Sequence, residues 1–192
     1  MQLKENIEPL PSHRYFIGAE NDDVVNVGLQ AIANGEVALV VLAGGQASRL
    51  GSEVPKGMYE LPLGIPGINN LFSIQAAQIR ALEAHVKDFA KKDVSIPWIV
   101  LTSESTDAMT KEFMKKLEKD FSFEEGKIKF VKQSDIQCTD ENGQPIKDGD
   151  KIMTAPNGNG GFFEAIQPLL PELRSMGIKY FHVYCVDNIL CR

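Results

Sequence analysis

Gly44-Gly45-Gln46-Ala47-Ser48-Arg49-Leu50-Gly51 and the Pro55-Lys56-Gly57 that follows shortly after it combine the residue types that hold a polyphosphate. Glycines admit a ligand to the backbone with no β-carbon in the way, and successive N–H groups form an anion-binding concavity. Arg49 adds a planar fork for phosphate oxygens and Lys56 a mobile point charge. Together the two cations suit a triphosphate. Two familiar motifs fail on spacing. A P-loop with Gly51 as its second glycine puts Gln46 in the first glycine slot and Ser52 in the lysine slot, and the GxGxxG of dinucleotide-binding folds is absent. Taken alone, the loop leaves a plain strand-to-helix turn with solvated Arg and Lys as the alternative.

Other candidates each carry a plainer reading beside the chemical one. Asp187 follows an apolar run and suits Mg2+, an ion usually held by one or two carboxylates plus substrate phosphates; an Asp that caps a turn or helix is the alternative. Gly158-Asn159-Gly160-Gly161 opens a helical segment, where amides face outward with partial positive charge, or else is a flexible turn. Gln133 at a strand end offers an amide donor and acceptor, or is solvated. His182 alternates with Tyr180 and Tyr184 on one strand face and reads as a hydrogen-bonded core histidine. No Ser/His/Asp or Cys/His arrangement supports a nucleophile. Met109 and Met114 read as core, and Lys111 to Asp120 as a solvated helix face.

The elements that must position these residues follow from periodicity. An apolar pattern at Val25, Val27, Leu29 and Ile32 predicts a short helix ending at Asn34-Gly35, after a tether. Val37 to Ala43 is a continuous, β-branched run suited to a strand buried on both faces. A glycine- and proline-punctuated stretch covers Gly44 to Asn69. Asn70 then caps a helix carrying Phe72, Ile79, Leu82, Val86 and Phe89. Strands are expected at Trp98 to Thr102, Lys127 to Gln133 and Tyr180 to Val186. A helix capped by Ser105, with Met109, Phe113 and Leu117, separates the first two. Asp140 to Gly149 reads as a turn-rich hairpin insertion, and Gly160 to Met176 as helical turns broken by Pro168 and Pro171. The alternation predicts an α/β fold, a doubly wound and mostly parallel sheet with helices on both faces. In such a sheet the loops after Ala43, Leu101, Val131 and Val186 share the ligand-binding rim.

Composition narrows the partners. The 192 residues hold 26 Asp and Glu against 20 Lys and Arg, a net charge of −6 that argues against nucleic acid and anionic membranes as partners. The longest purely apolar run is far short of a bilayer span of about 20 residues, and the N-terminus has no signal-peptide core. Three cysteines without CxxC spacing fit a reducing, cytoplasmic setting.

LAGGQASRLG followed by PKGM resembles the signature of the eukaryotic UDP-N-acetylglucosamine pyrophosphorylases, a branch of the UDP-sugar pyrophosphorylases whose usual form is LAGGQGTRLG with PKGM. Ala47 and Ser48 stand where that family has Gly and Thr. A methyl group at 47 is expected to cost affinity if the position needs positive φ or close backbone approach to phosphate. The likeness continues in order through Leu71 to Ala76, Thr102-Ser103, Phe130 to Gln133, Ala155 to Gly161 and His182 to Leu190. It implies a Rossmann-like nucleotidyltransferase fold that is incomplete relative to the family: residues 1–35 as tether and helix, and 36–192 as a nucleotide-binding core cut after the VDN motif. It implies nucleotide contacts from Leu42, Ala43, Gly44, Gly45, Gln133, Gly158 and Asn159, with Gln133 on the uracil edge. Arg49 and Lys56 become catalytic cations, and Asp187 the Mg2+ ligand.

The implied substrates are UTP and N-acetylglucosamine 1-phosphate, whose phosphate oxygen attacks the α-phosphorus as pyrophosphate leaves. The GNGG loop and Arg49 resemble the N-acetylhexosamine branch rather than the UDP-glucose enzymes. Three alternatives remain: a UTP-binding module without turnover, a pyrophosphorylase for another sugar 1-phosphate, and a purely structural domain. A chain cut here is also expected to leave apolar surface on its last strand.

Overall fold

The structure is a computed structural model that describes Pro11 and residues 21–191. Apart from Pro11, the expected tether lies outside the described residues. In chain order, α1 (Asp22–Ala33) leads into β1 (Val37–Leu42), and a hairpin of β2 (Glu60–Ile65) and β3 (Ile68–Asn70) precedes α2 (Leu71–Ala90). β4 (Trp98–Thr102), α3 (Asp107–Asp120) and β5 (Ile128–Lys132) follow. An antiparallel arm then holds β6 (Asp135–Gln137), β7 (Lys147–Asp148), β8 (Lys151–Ile152) and β9 (Thr154–Pro156). The last elements are α4 (Phe162–Ala165), α5 (Leu170–Ser175) and β10 (Tyr180–Cys185).

The apolar runs form the expected sheet. Its order is β10-β1-β4-β5 and every pairing is parallel. From β1 the chain moves outward through β4 to β5, then returns to place β10 on the other side of β1. Strand order therefore reverses between β1 and β10, the kind of switch point at which open α/β sheets bind ligands. Leu39, Val41, Trp98 and Val100 face α2 and α3, where Phe72, Ala76, Ile79, Met114 and Leu117 complete one core. Ala38, Val40, Ile99 and Leu101 face Phe162, Ile166 and Leu173 on the opposite side. The helices on both faces bury β1 and β4 completely at their centres, which is why those strands lack polar alternation.

α2 begins where the sequence says it should. The Asn70 side chain accepts from Ser73 N while Ser73 Oγ accepts from Asn70 N, a reciprocal cap that fixes the first turn. Glu83 is buried on this helix, accepts from Ile96 N–H at 2.8 Å and pairs with buried Lys127, whose ammonium also lies 4.1 Å from the Phe123 ring centre. Burial pushes Lys127 below its usual pKa, against the hydrogen bond it donates to Glu83, which raises it.

Several expectations change. Val25, Val27, Phe89 and Met109 are exposed, because the buried stripes run through Leu29 and Ala33 on α1 and through Thr110, Met114 and Leu117 on α3. The N-cap of α3 is Thr106 rather than Ser105, and its hydroxyl accepts from Ser103 N instead of a helix amide. The β2–β3 hairpin was concealed by its own prolines and glycines; its strands register only at Glu60 with Asn70 and Ile65 with Ile68. The arm extends on both sides of the expected insertion, from Asp135 to Pro156. β10 is an edge strand with Tyr180, Phe181 and Val183 exposed. His182 therefore lines a groove between β10, α1 and α2 instead of sitting in a core, with Nε2 3.1 Å from Cys191 Sγ.

Candidate functional site

The loops after β1, β4, β5 and β10 meet at the carboxyl rim of the sheet. Ser103 Oγ donates to the Gly44 carbonyl at 2.7 Å, Ala43 N to Leu101 O at 3.0 Å, Gln133 N to Thr102 O at 3.0 Å, and Val186 N to Leu42 O at 3.2 Å. These bonds carry the sheet ladder one residue past the strands and fix where each loop departs. Leu42 is half-buried and Ala43 fully buried, so at these two positions the backbone is what faces the rim.

Gly44 and Gln133 are packed face to face. A β-carbon on Gly44 would lie 2.1 Å from Gln133 Nε2, and one on Gly161 would lie 3.2 Å from Gln133 Cβ. The Gln133 side chain is thus held between two glycines. The residue is only 6% exposed, yet its Oε1 is buried without a hydrogen-bond partner among the described residues. An unpaired buried carbonyl is costly unless something else satisfies it, which makes this amide a site where a polar ligand edge would fit.

The glycine loop is clipped to the lysine loop by two bonds, Ala47 N to Val54 O and Lys56 N to Gly45 O, each 3.0 Å. The amides of Gly44, Gly45 and Gln46 donate to no acceptor among the described residues, with Gly44 buried and Gly45 and Gln46 exposed. Ala47 does not meet the positive-φ condition under which its methyl was expected to cost affinity. Its φ is −84° and ψ 29°, its methyl is 1% exposed, and its amide is already bonded to Val54. Alanine is unstrained there, and the methyl packs inward.

Lys56 begins a short 3₁₀ turn whose Gly57 rests on the Phe72 ring; a β-carbon at 57 would lie 2.2 Å from that ring. The Lys56 ammonium lies 3.4 Å from Asp187 Oδ2, with the two side chains 33% and 59% exposed. The Asp187 carboxylate accepts from no backbone amide among the described residues, so it is not a turn cap. Its turn is tied to α2 by Gln75 Nε2 donating to Val186 O and Gln78 Nε2 to Ile189 O, both at 2.8 Å.

Gly158 has φ 78° and ψ −168°, a conformation open essentially to glycine alone. It brings Asn159 beside the end of β10, with Nδ2 3.8 Å from Cys185 Sγ. The helical segment that follows consists of pieces of three to six residues, so the dipole expected at its start is that of a single turn. Arg49 lies in the 3₁₀ turn Ser48–Leu50, and its side chain lies outside what is described. His182 is mid-strand, in register with Leu39, away from the rim.

Two contributors were missed in sequence. Ser103 buttresses Gly44, and Gln75 holds the Asp187 turn. Gln75 had a signal: it is a polar residue on the apolar stripe between Phe72 and Ile79. Among the described residues no three His, Cys, Asp or Glu side chains cluster, so Asp187 is a lone hard-oxygen donor beside a cation and an open amide cradle. Such a rim can bind an extended polyphosphate with a base-like edge at Gln133.

A family model described as UTP–glucose-1-phosphate uridylyltransferase matches residues 4–192. The chain is 44% identical over 200 residues to a Caenorhabditis elegans protein named "Probable UDP-N-acetylglucosamine pyrophosphorylase", with 98% of this chain and 40% of that protein covered. It is 38% identical to UDP-N-acetylglucosamine pyrophosphorylase of Saccharomyces cerevisiae, over 97% of this chain and 39% of that one. The solved structure of the Trypanosoma brucei uridine diphosphate N-acetylglucosamine pyrophosphorylase, in complex with inhibitor, superposes with a TM-score of 0.79 at 31% identity, covering 88% of this chain and 35% of that one. The chain spans about two fifths of the length of the curated relatives it matches.

Proposed function

The chain belongs to the UTP–glucose-1-phosphate uridylyltransferase family, and on that premise we propose that it serves uridylyl transfer from UTP to N-acetylglucosamine 1-phosphate, giving UDP-N-acetylglucosamine and pyrophosphate. The observation that carries the reading is the meeting on one rim of three amides unpaired among the described residues, the buried Gln133 carboxamide and the Lys56–Asp187 pair. The sugar is the one in the names of these relatives, of which the chain spans about two fifths.

In this reading the Gly44 and Gly45 amides cradle the UTP phosphates, and Leu42 and Ala43 set the backbone from which they project. Gln133 pairs donor and acceptor with the uracil edge, with Gly158 and Asn159 beside the nucleoside. The sugar phosphate oxygen attacks the α-phosphorus in line, and the bond to the bridging oxygen of pyrophosphate breaks. The attacking group is already an anion, so no general base is required; positioning and charge stabilisation lower the barrier. Lys56 and Arg49 neutralise charge as it shifts onto the leaving group. Asp187, as a single exposed carboxylate, suits Mg2+, which takes few protein ligands and completes its shell with phosphate and water. Held there, Mg2+ would supply further neutralisation of phosphate oxygens.

The described cysteines are free thiols, and no helix among the described residues is long and apolar enough to cross a membrane. The free thiols support a cytoplasmic setting. The test is pyrophosphate release from UTP with and without N-acetylglucosamine 1-phosphate, followed by a panel of other sugar 1-phosphates. Turnover only with the N-acetylhexosamine supports the proposal. UTP binding without turnover would make the chain a nucleotide-binding module. Absence of UTP binding would overturn both.

A further inference from the structure

We propose that Gln75, seconded by Gln78, is a positioning residue: its carboxamide fixes the turn that presents Asp187 to Lys56 and to the metal. The inference rests on the reading of Asp187 as the metal-linked carboxylate, and deepens it. Gln75 is 1% exposed, on a helix face otherwise formed by Phe72, Ala76 and Ile79. An apolar residue would suit that face better, since Gln75 Oε1 is buried without a partner. What the glutamine provides is its donor, which meets the Val186 carbonyl at 2.8 Å, directly before Asp187.

One turn further along α2, Gln78 Nε2 holds Ile189 O at the same distance. Between these anchors the turn closes on itself through Asn188 N to Cys185 O and Ile189 N to Asp187 O. The backbone of Asp187 is therefore clamped from both ends by one helix. The same helix sets the other partner. The Phe72 ring, one turn before Gln75, supports Gly57 and so the turn from which Lys56 projects. α2 thus spaces the cation and the carboxylate, although they stand 131 positions apart in sequence.

The test measures UTP affinity by calorimetry with Mg2+ and with EDTA, and amide hydrogen exchange over residues 186–190, in the full chain. Gln75→Met keeps the volume and removes the donor. It is expected to lower the Mg2+-dependent gain in affinity about tenfold, as loss of an outer-shell partner typically does. Metal-free affinity should stay within about twofold of the parent while exchange in the turn accelerates. Gln78→Met, at an exposed position, should do the same to a lesser degree and decides the matter if Gln75→Met fails to fold. An intact Mg2+ gain and unchanged exchange in both variants, with the gain lost in Asp187→Ala, would overturn the positioning role alone. If Asp187→Ala keeps the gain, the metal reading of Asp187 falls, and the exchange data then decide whether Gln75 holds the turn.

Discussion

Gly44 lies against the Gln133 carboxamide so closely that a β-carbon there would sit 2.1 Å from Nε2 and 3.3 Å from Cδ. No L side chain fits between the end of β1 and this amide while Gln133 keeps its place. Ala at 44 must push the amide out of its slot between Gly44 and Gly161, and overpacking of this kind costs about 1–3 kcal/mol.

The first prediction follows from that contact. Gly44→Ala should lower UTP affinity at least as much as Gln133→Ala, and the double variant should be no worse than the poorer single one, because both act through one amide. A double-mutant cycle of UTP binding, read beside urea unfolding, checks it. Additive losses would mean that a methyl at 44 disturbs nucleotide binding by a route other than the displaced Gln133 amide.

The sheet was legible because β1, β4 and β10 are largely apolar runs whose ends carry the candidate loops, and each strand ends within one residue of the expected loop start. The β2–β3 hairpin was hidden, since it registers only at its two ends and its remaining residues carry turn signals. Whether Ala47 needs the positive φ of a glycine is not legible in sequence; its φ of −84° and buried methyl show that it does not. Lys56 and Asp187 were each visible as chemistry. Their pairing was not, because no periodicity relates residues brought together by the first turns of α2.

The second prediction concerns stability. Glu83 is buried with Lys127 and also accepts from Ile96 N–H, so Glu83→Ala leaves an ammonium and an amide unpaired in the interior. Breaking such a pair costs about 3–5 kcal/mol, whereas replacing both partners by apolar residues is often neutral. Urea unfolding should show a large loss for Glu83→Ala and recovery of most of it in Glu83→Leu/Lys127→Met. Equal losses in both would show that the charges themselves stabilise the fold.

A third prediction is a pH dependence. Burial raises the Asp107 carboxyl pKa, but hydrogen bonds from Lys111 and Thr102 outweigh it and hold the group below its ordinary value. A depressed folded pKa contributes stability that is present above the unfolded value, about 3.9, and is lost as pH falls through the folded one. Between about pH 5 and pH 3 the parent should therefore lose more stability than Asp107→Asn, as measured by thermal unfolding across that range. Parallel acid limbs would remove Asp107 from the account.

The fourth prediction separates function from stability at the rim. Lys56 and Asp187 form a half-exposed ion pair at 3.4 Å, and exposed pairs contribute about 0–1 kcal/mol. Lys56→Met and Asp187→Ala should accordingly leave the urea midpoint almost unchanged. Their effects on nucleotide binding should differ. With Lys56 as the proposed phosphate cation, Lys56→Met should weaken UTP binding with or without Mg2+. Asp187→Ala should abolish the Mg2+-dependent gain while leaving metal-free binding equal to the parent or stronger, because it removes a negative charge from beside the phosphates. Calorimetric titration of both variants with UTP, in Mg2+ and in EDTA, reads the four affinities. An Asp187→Ala variant whose binding still strengthens on adding Mg2+ would show that the metal is held by UTP phosphates without this carboxylate.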